Sequence, residues 1–243
     1  MSRELDFTAA WNDGIALLKT HREAALAITG VFIFLPSLIF GFLFPQPEFD
    51  ASGNSTVVLA QLIEFYKTIA PWALLMGVFS GIGTLAINFM AINSRHPVTG
   101  EAIISGAKSY LTLFGASLLS GIAIFLGLLL LIVPGVYFAV KFSQIRTVIA
   151  AEDQLNPITA LSRSWQLTKG NSLRIFGFVL VIIIVGAIAM LIFNMLFAGL
   201  GLVLPGSAGL FVTALGSALS GALFVLLLEF VNMGIYRQLS TPA

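Results

Sequence analysis

The sequence predicts an all-α polytopic membrane bundle. Three observations carry that expectation: a composition too apolar for water, a series of long apolar runs, and basic residues gathered on one side of those runs. Of 243 residues, 58% are hydrophobic and 9% are charged. Soluble domains carry about 25% charged residues, so lipid is the solvent that fits. A bilayer core of about 30 Å asks for ~20 consecutive apolar residues per helix.

Six apolar spans follow in order, near residues 24–44, 69–92, 111–132, 136–150, 175–197 and 211–235. Only the fourth is short, and Lys141 interrupts it. Read as one kinked element of about 40 residues, the third and fourth spans would reach ~60 Å, twice the hydrocarbon core. A hairpin turning at Pro134-Gly135 is the better reading.

Orientation follows from Lys and Arg. Arg3, Lys19 and Arg22 precede the first span; Arg95 and Lys108 lie between the second and third. Arg146, Arg163, Lys169 and Arg174 lie between the fourth and fifth, and Arg237 follows the sixth. The opposite side has Lys67 alone, with Glu48, Asp50 and Glu64, and the glycine-rich loop 198–210 has no charge. Both termini are therefore expected in the cytoplasm, with three short loops outside; whether loop 198–210 dips into the bilayer is open. Residues 1–23 lack the apolar stretch and cleavage site of a signal peptide.

Each inner segment is amphipathic. Phe7, Trp11, Ile15 and Leu18 share one helical face; Ile103, Ala107 and Tyr110 another; Ile158, Leu161 and Trp165 a third. This suits short interfacial helices in the headgroup plane on the cytoplasmic side. Two spans follow each, which suggests three internal repeats, near 1–94, 95–155 and 156–243, within one membrane domain. Any even-spanning chain with short inner loops looks periodic, however, and identity between the units is poor.

Ionisable groups inside spans are rare and expensive, about 2.5–3.5 kcal/mol at the centre. Lys141 and Glu229 stand out, and Glu229 is expected to pair with Arg146 or with Lys141, as a structural tie or part of a polar pathway. Alternatively, Lys141 snorkels to a headgroup and Glu229 meets inner-leaflet water. Asn88, Asn194 and Asn232 read as hydrogen-bonding glue between helices, with ligand binding the less favoured role. Small residues at four-residue spacing (Gly77 and Gly81, Ser117 and Gly121, Gly216 and Ser220, Ser217 and Gly221) permit close helix approach. The basic inner face could hold anionic headgroups at ~1 kcal/mol per cation, although topology alone accounts for its charge.

Enzyme chemistry has little support. Cysteine is absent, and His21 and His96 have no metal-ligand spacing with any carboxylate. No phosphate loop, serine elbow or HExxH occurs. Catalytic, cofactor and metal residues are expected to be none. The adjacent Glu152 and Asp153 look like a solvated loop.

One stretch is more specific. Val-Pro-Gly-Val-Tyr at 133–137 is followed by a membrane helix, by Ala-Glu-Asp at 151–153, and by Ala-Leu-Ser-Arg-Ser-Trp-Gln-Leu-Thr-Lys-Gly at 160–170. This resembles the membrane domain that some bacteria fuse to glycerophosphoryl diester phosphodiesterase, and the uncharacterised YciC-type inner-membrane proteins. The resemblance implies a stand-alone domain of the bacterial cytoplasmic membrane. Phosphodiesterase activity is not implied, because it belongs to a separate soluble barrel. Pro134, Gly135, Glu152, Arg163, Ser164 and Trp165 carry over as motif positions only. The expected role is non-enzymatic: organising membrane lipids, including anionic ones, or partner proteins at the cytoplasmic face, with a homo-oligomer or a membrane-protein partner as the open alternatives. The alternative is a transporter or channel for a small or lipidic solute. Nothing points to nucleic acid.

Overall fold

The computed structural model describes residues 4–44 and 55–240. Arg3, Glu48 and Asp50 lie outside them. Among the described residues every regular element is helical: α1 (Phe7–Thr29), a π-helical turn (Gly30–Phe34), α2 (Leu35–Leu43), α3 (Ser55–Ile92), α4 (Thr99–Leu130), α5 (Ile132–Lys141), α6 (Ile145–Ala151), α7 (Pro157–Leu167), α8 (Ser172–Val203) and α9 (Ser207–Ser240).

Local chemistry sets several of these bounds. The Asp6 carboxylate caps α1 by accepting from the Ala9 N–H at 3.0 Å. Pro36 would press its ring on the carbonyl four residues back. The chain widens there into a π turn, in which the Leu35 N–H bonds the Gly30 carbonyl. Asn156 caps α7 through the N–H groups of Ile158 and Thr159, with Pro157 at the first helical position. The α8–α9 connection is short, and Gly206 turns it at φ +58°. The expected loop 198–210 is therefore mostly helix.

Five stretches are long and apolar enough to cross a membrane: Phe7–Leu43, Thr56–Ile92, Thr99–Leu130, Ser172–Val203 and Ser207–Ser240. The expected fourth span, 136–150, is divided into α5 and α6. Phe142 and Gln144 leave helical geometry between them. The Ser164 hydroxyl donates to the Lys141 carbonyl at 2.7 Å and accepts from the Gln144 N–H at 3.2 Å. It thereby replaces the helical bonds lost at the break. The α4–α5 hairpin turns at Leu131, with an extended backbone (φ −162°, ψ 155°), rather than at Pro134-Gly135. That pair opens α5 instead. Gly135 lies against Gly127 and Leu128 so closely that a Cβ on Gly127 would meet the Gly135 Cα at 2.9 Å.

The amphipathic segments also differ from expectation. The first and second run unbroken into the long helices α1 and α4; only the third stands alone, as α7. In each, the buried side includes small residues: Ala10 and Gly14 on α1, Ala102 and Gly106 on α4, Ala160 and Ser164 on α7. Phe7, Trp11 and Ile158, placed on the apolar faces by sequence, are exposed. In lipid, large apolar side chains gain nothing by leaving the solvent, whereas small ones let backbones approach.

The first and last helices are antiparallel and start and finish together. Gly14 lies on the Phe230 carbonyl, Gly234 on the Ala10 carbonyl, and the Gln238 amide donates to Asp13 at 3.2 Å. Fully buried residues gather toward this end, among them Leu85, Ile87, Val148, Ile149, Phe230 and Met233. The far part of α8 and the α4–α5 tip are open, with Leu130, Val133 and Leu202 more than two-thirds exposed.

Candidate functional site

Where α3, α6 and α9 meet, buried polar side chains form a closed cluster. Glu229 is 2% exposed. One of its oxygens accepts from Arg146 Nη1 at 2.6 Å, the other from Asn88 Nδ2 at 2.7 Å. The Asn88 amide also donates to the Thr84 carbonyl at 2.8 Å, and its Oδ1 accepts from the Thr147 hydroxyl at 3.1 Å. The structure thus pairs Glu229 with Arg146, not Lys141. Arg146 keeps about half of its side chain in the open (51%) while the carboxylate is sealed (3%). A buried carboxylate is tolerable only when charge-paired and hydrogen-bonded, and Glu229 is both. Of the two other intramembrane asparagines, Asn232 accepts from the Gln144 amide at 3.3 Å, and Asn194 from Ser220 across α8–α9 at 3.4 Å. Both act as helix glue. Gln144 retains a buried Oε1 with no protein partner.

Four of the motif positions, Glu152, Arg163, Ser164 and Trp165, lie in a second cluster around α6 and the α5–α6 break, whereas Pro134 and Gly135 lie at the start of α5, where Gly135 packs on Leu128 of α4. Arg163 Nε donates to Glu152 Oε1 at 2.8 Å, and the Tyr236 hydroxyl donates to the same oxygen at 3.0 Å. Asp153, in the left-handed region at φ +50°, pairs with Arg95 and accepts from Asn93. Asn93 also donates to the Ala150 carbonyl at 2.6 Å. Asp153 is exposed, as a solvated loop would have it, whereas Glu152 is partly buried and ties α7 and α9 to the end of α6.

Trp165 closes this cluster against Tyr137, Phe138 and Phe142, with ring centroids 5.7, 6.0 and 5.8 Å away. Under these rings lies Lys141, only 2% exposed. Its ammonium stands 5.3 Å from the centroids of both Tyr137 and Trp165. A cation over aromatic faces recovers about 0.5–2 kcal/mol. Among the described residues no carboxylate lies within ion-pair distance of Lys141.

The basic inner face is largely spent inside the protein. Arg146 pairs with Glu229, Arg163 with Glu152, and Arg174 with Glu4 at 2.6 Å. Only Lys169 of the four expected cations has no carboxylate partner among the described residues. Of the small-residue pairs, Gly81 meets Tyr110 and Gly216 meets Phe197, whereas Gly77, Gly121 and Gly221 face open space.

A lateral crevice lies between α5 and α8. One chamber, of about 410 Å³, includes Ile132, Val133 and Tyr137 with Ser172 and Leu173. The next, of about 220 Å³, includes Ala139 and Ser143 with Val179 and Ile183. Low numbers on α5 meet low numbers on α8, so the two helices run in the same direction along it. Strict alternation of spans would make them opposed. The hairpin tip thus comes beside the start of α8. A separate polar cleft of about 580 Å³ lies between Lys19, His21 and Arg22 on α1 and Pro97 and Val98 before α4. Among the described residues no three His, Asp or Glu side chains converge as a metal site would need.

Long apolar helices, knotted at one end by buried polar side chains and bare of cover elsewhere, have the build of an integral membrane protein. The chain belongs to the family described as Domain of unknown function (DUF7847), which matches residues 64–239. That match holds every residue of the two polar clusters. No curated protein and no solved structure matches the chain.

Proposed function

We propose that this is a non-enzymatic protein of the bacterial cytoplasmic membrane that organises lipids at the inner leaflet. The carrying observation is the division of labour between its polar and apolar surfaces. Arg146, Arg163 and Arg174 are tied internally to Glu229, Glu152 and Glu4, while a laterally open apolar crevice and broad apolar faces remain available. Closure of Glu229 by Arg146 and Asn88 speaks for a structural tie over a conducting pathway. A transporter is the second reading, favoured by the Gln144 oxygen left without a partner beside Asn232.

The proposed orientation keeps the chain ends and the basic segments in the cytoplasm. The meeting of α1 and α9 at one end supports an even number of crossings between them. The Asn93 bond to Ala150 supports the same parity for the α4–α6 segment, because that segment begins and ends in one layer. The return between α4 and α8 then completes the six passes of the sequence reading, although α5 itself runs in the same direction as α8. Relation to the phosphodiesterase-linked and YciC-type membrane domains is part of the same proposal. It is supported by the way Glu152, Arg163, Ser164 and Trp165 hold α7 to α6 and to the α5–α6 break.

Native mass spectrometry of the purified protein tests the reading. Lipid retained at defined stoichiometry is the expected result. A lipid-free protein that moves a solute across proteoliposomes would replace it with transport.

A further inference from the structure

We infer that the α5–α8 crevice is a binding site for one acidic glycerophospholipid, with an acyl chain between the helices and the phosphate held by Lys141. The inference rests on the lipid-organising reading and names its ligand class and site.

Three observations meet here. The crevice is apolar along its length, from Val136 and Val140 on α5 to Phe176 and Val179 on α8. It opens sideways, in the direction from which a bilayer lipid arrives. Lys141, at the end of α5, is a buried cation for which the protein supplies aromatic faces but, among the described residues, no carboxylate. The site thus carries a positive charge and, among the described residues, lacks the anion that would balance it. Tyr137 joins the two parts: it lines the crevice and its ring covers the Lys141 ammonium. Rotation of that half-exposed ring opens the ammonium to the crevice mouth, where Ser172 adds a hydroxyl. A zwitterionic headgroup would bring a cation of its own toward the lysine. An acidic one, such as phosphatidylglycerol, brings only the missing negative charge.

The test uses the full chain, delipidated in detergent and titrated with phosphatidylglycerol or phosphatidylcholine, read by native mass spectrometry. The expected result is one phosphatidylglycerol bound at least tenfold more tightly than phosphatidylcholine. Lys141→Met should bring the two lipids within about twofold, and Lys141→Arg should restore the preference. Lys108→Met, at an exposed basic position elsewhere, should leave it intact. Val136→Trp, which fills the crevice, should lower the affinity for both lipids, with helicity and elution volume unchanged. Equal binding of the two lipids by the wild type, or an undiminished preference in Lys141→Met, overturns this inference and leaves lipid organisation standing. Displacement of phosphatidylglycerol by equimolar oleate overturns the phospholipid assignment in favour of a fatty acid. No retained lipid in any form overturns both the site and the reading beneath it.

Discussion

Arg146 Nη1 lies 2.6 Å from Glu229 Oε1 and joins the short helix α6 to the middle of α9, 83 positions later in the chain. The carboxylate is sealed and the guanidinium half open, so the two partners are not equivalent. Removing the arginine strands a buried charge. Removing the charge on the glutamate leaves an arginine that water can solvate.

Arg146→Met should therefore destabilise more than Glu229→Gln. Breaking a fully buried pair costs ~3–5 kcal/mol; the exposure of Arg146 brings the expected loss to about 2 kcal/mol. The double variant Arg146→Met, Glu229→Gln should recover part of it. Equilibrium unfolding in mixed micelles measures all three. Equal losses for the two single variants, with an additive double, would show that the contact carries no coupling.

Asn88 divides its amide between Thr84 and Glu229 and takes a hydrogen bond from Thr147. Asn88→Leu removes all three side-chain contacts and leaves one carboxylate oxygen with no donor. A loss of about 1–2 kcal/mol is expected, at the upper end for interhelical polar contacts in membranes. Asn194→Leu, which breaks one long contact to Ser220, should cost less than half as much. Thermal unfolding of the two variants in the same detergent gives the comparison, and a reversed order would remove Asn88 from the core of the tie.

The helical class was legible in the sequence because composition and run length answer to the solvent alone. The Glu229–Arg146 pair was legible because a lone carboxylate in an apolar helix must find a cation, and depth limited the choice. Two things were hidden. The broken fourth span depends on Ser164 supplying bonds across 23 positions of sequence, which no local pattern encodes. The apolar faces of α1, α4 and α7, expected at the headgroups, left the protein-facing side of these helices undetermined. In this bundle Gly14, Gly106 and Ser164 are inside and Phe7 and Trp11 are out. Small-residue spacing was the available signal, and it had been read on the spans but not on the inner segments.

Tyr236 had drawn no notice by sequence, yet its hydroxyl shares Glu152 with Arg163. Tyr236→Phe should cost about 1 kcal/mol, the net value of one hydrogen bond. Glu152→Gln should cost more, because it weakens both contacts and leaves Arg163 without its counter-charge. In a double-mutant cycle the two changes should be less than additive. Strict additivity would mean that the tyrosine bond does not form in the membrane protein.

The last prediction concerns the α1–α9 contact, on which the shared position of the chain ends depends. A Cβ placed on Gly234 would stand 2.1 Å from the Ala10 carbonyl oxygen, and one on Gly14 would stand 2.6 Å from that of Phe230. Both obstacles are backbone, so no side-chain rotation relieves them. Gly234→Ala should force the helices apart, at the ~1–3 kcal/mol typical of overpacking or above it. Gly221→Ala, at a position on the same helix that faces open space, should be neutral or slightly stabilising, since alanine favours the helix. A cysteine pair at Asp13 and Gln238 reads the geometry directly: it should form a disulfide in wild-type background and form it poorly beside Gly234→Ala. Equal cross-linking in both backgrounds, together with equal stability, would show that α1 does not lie on α9 in this register.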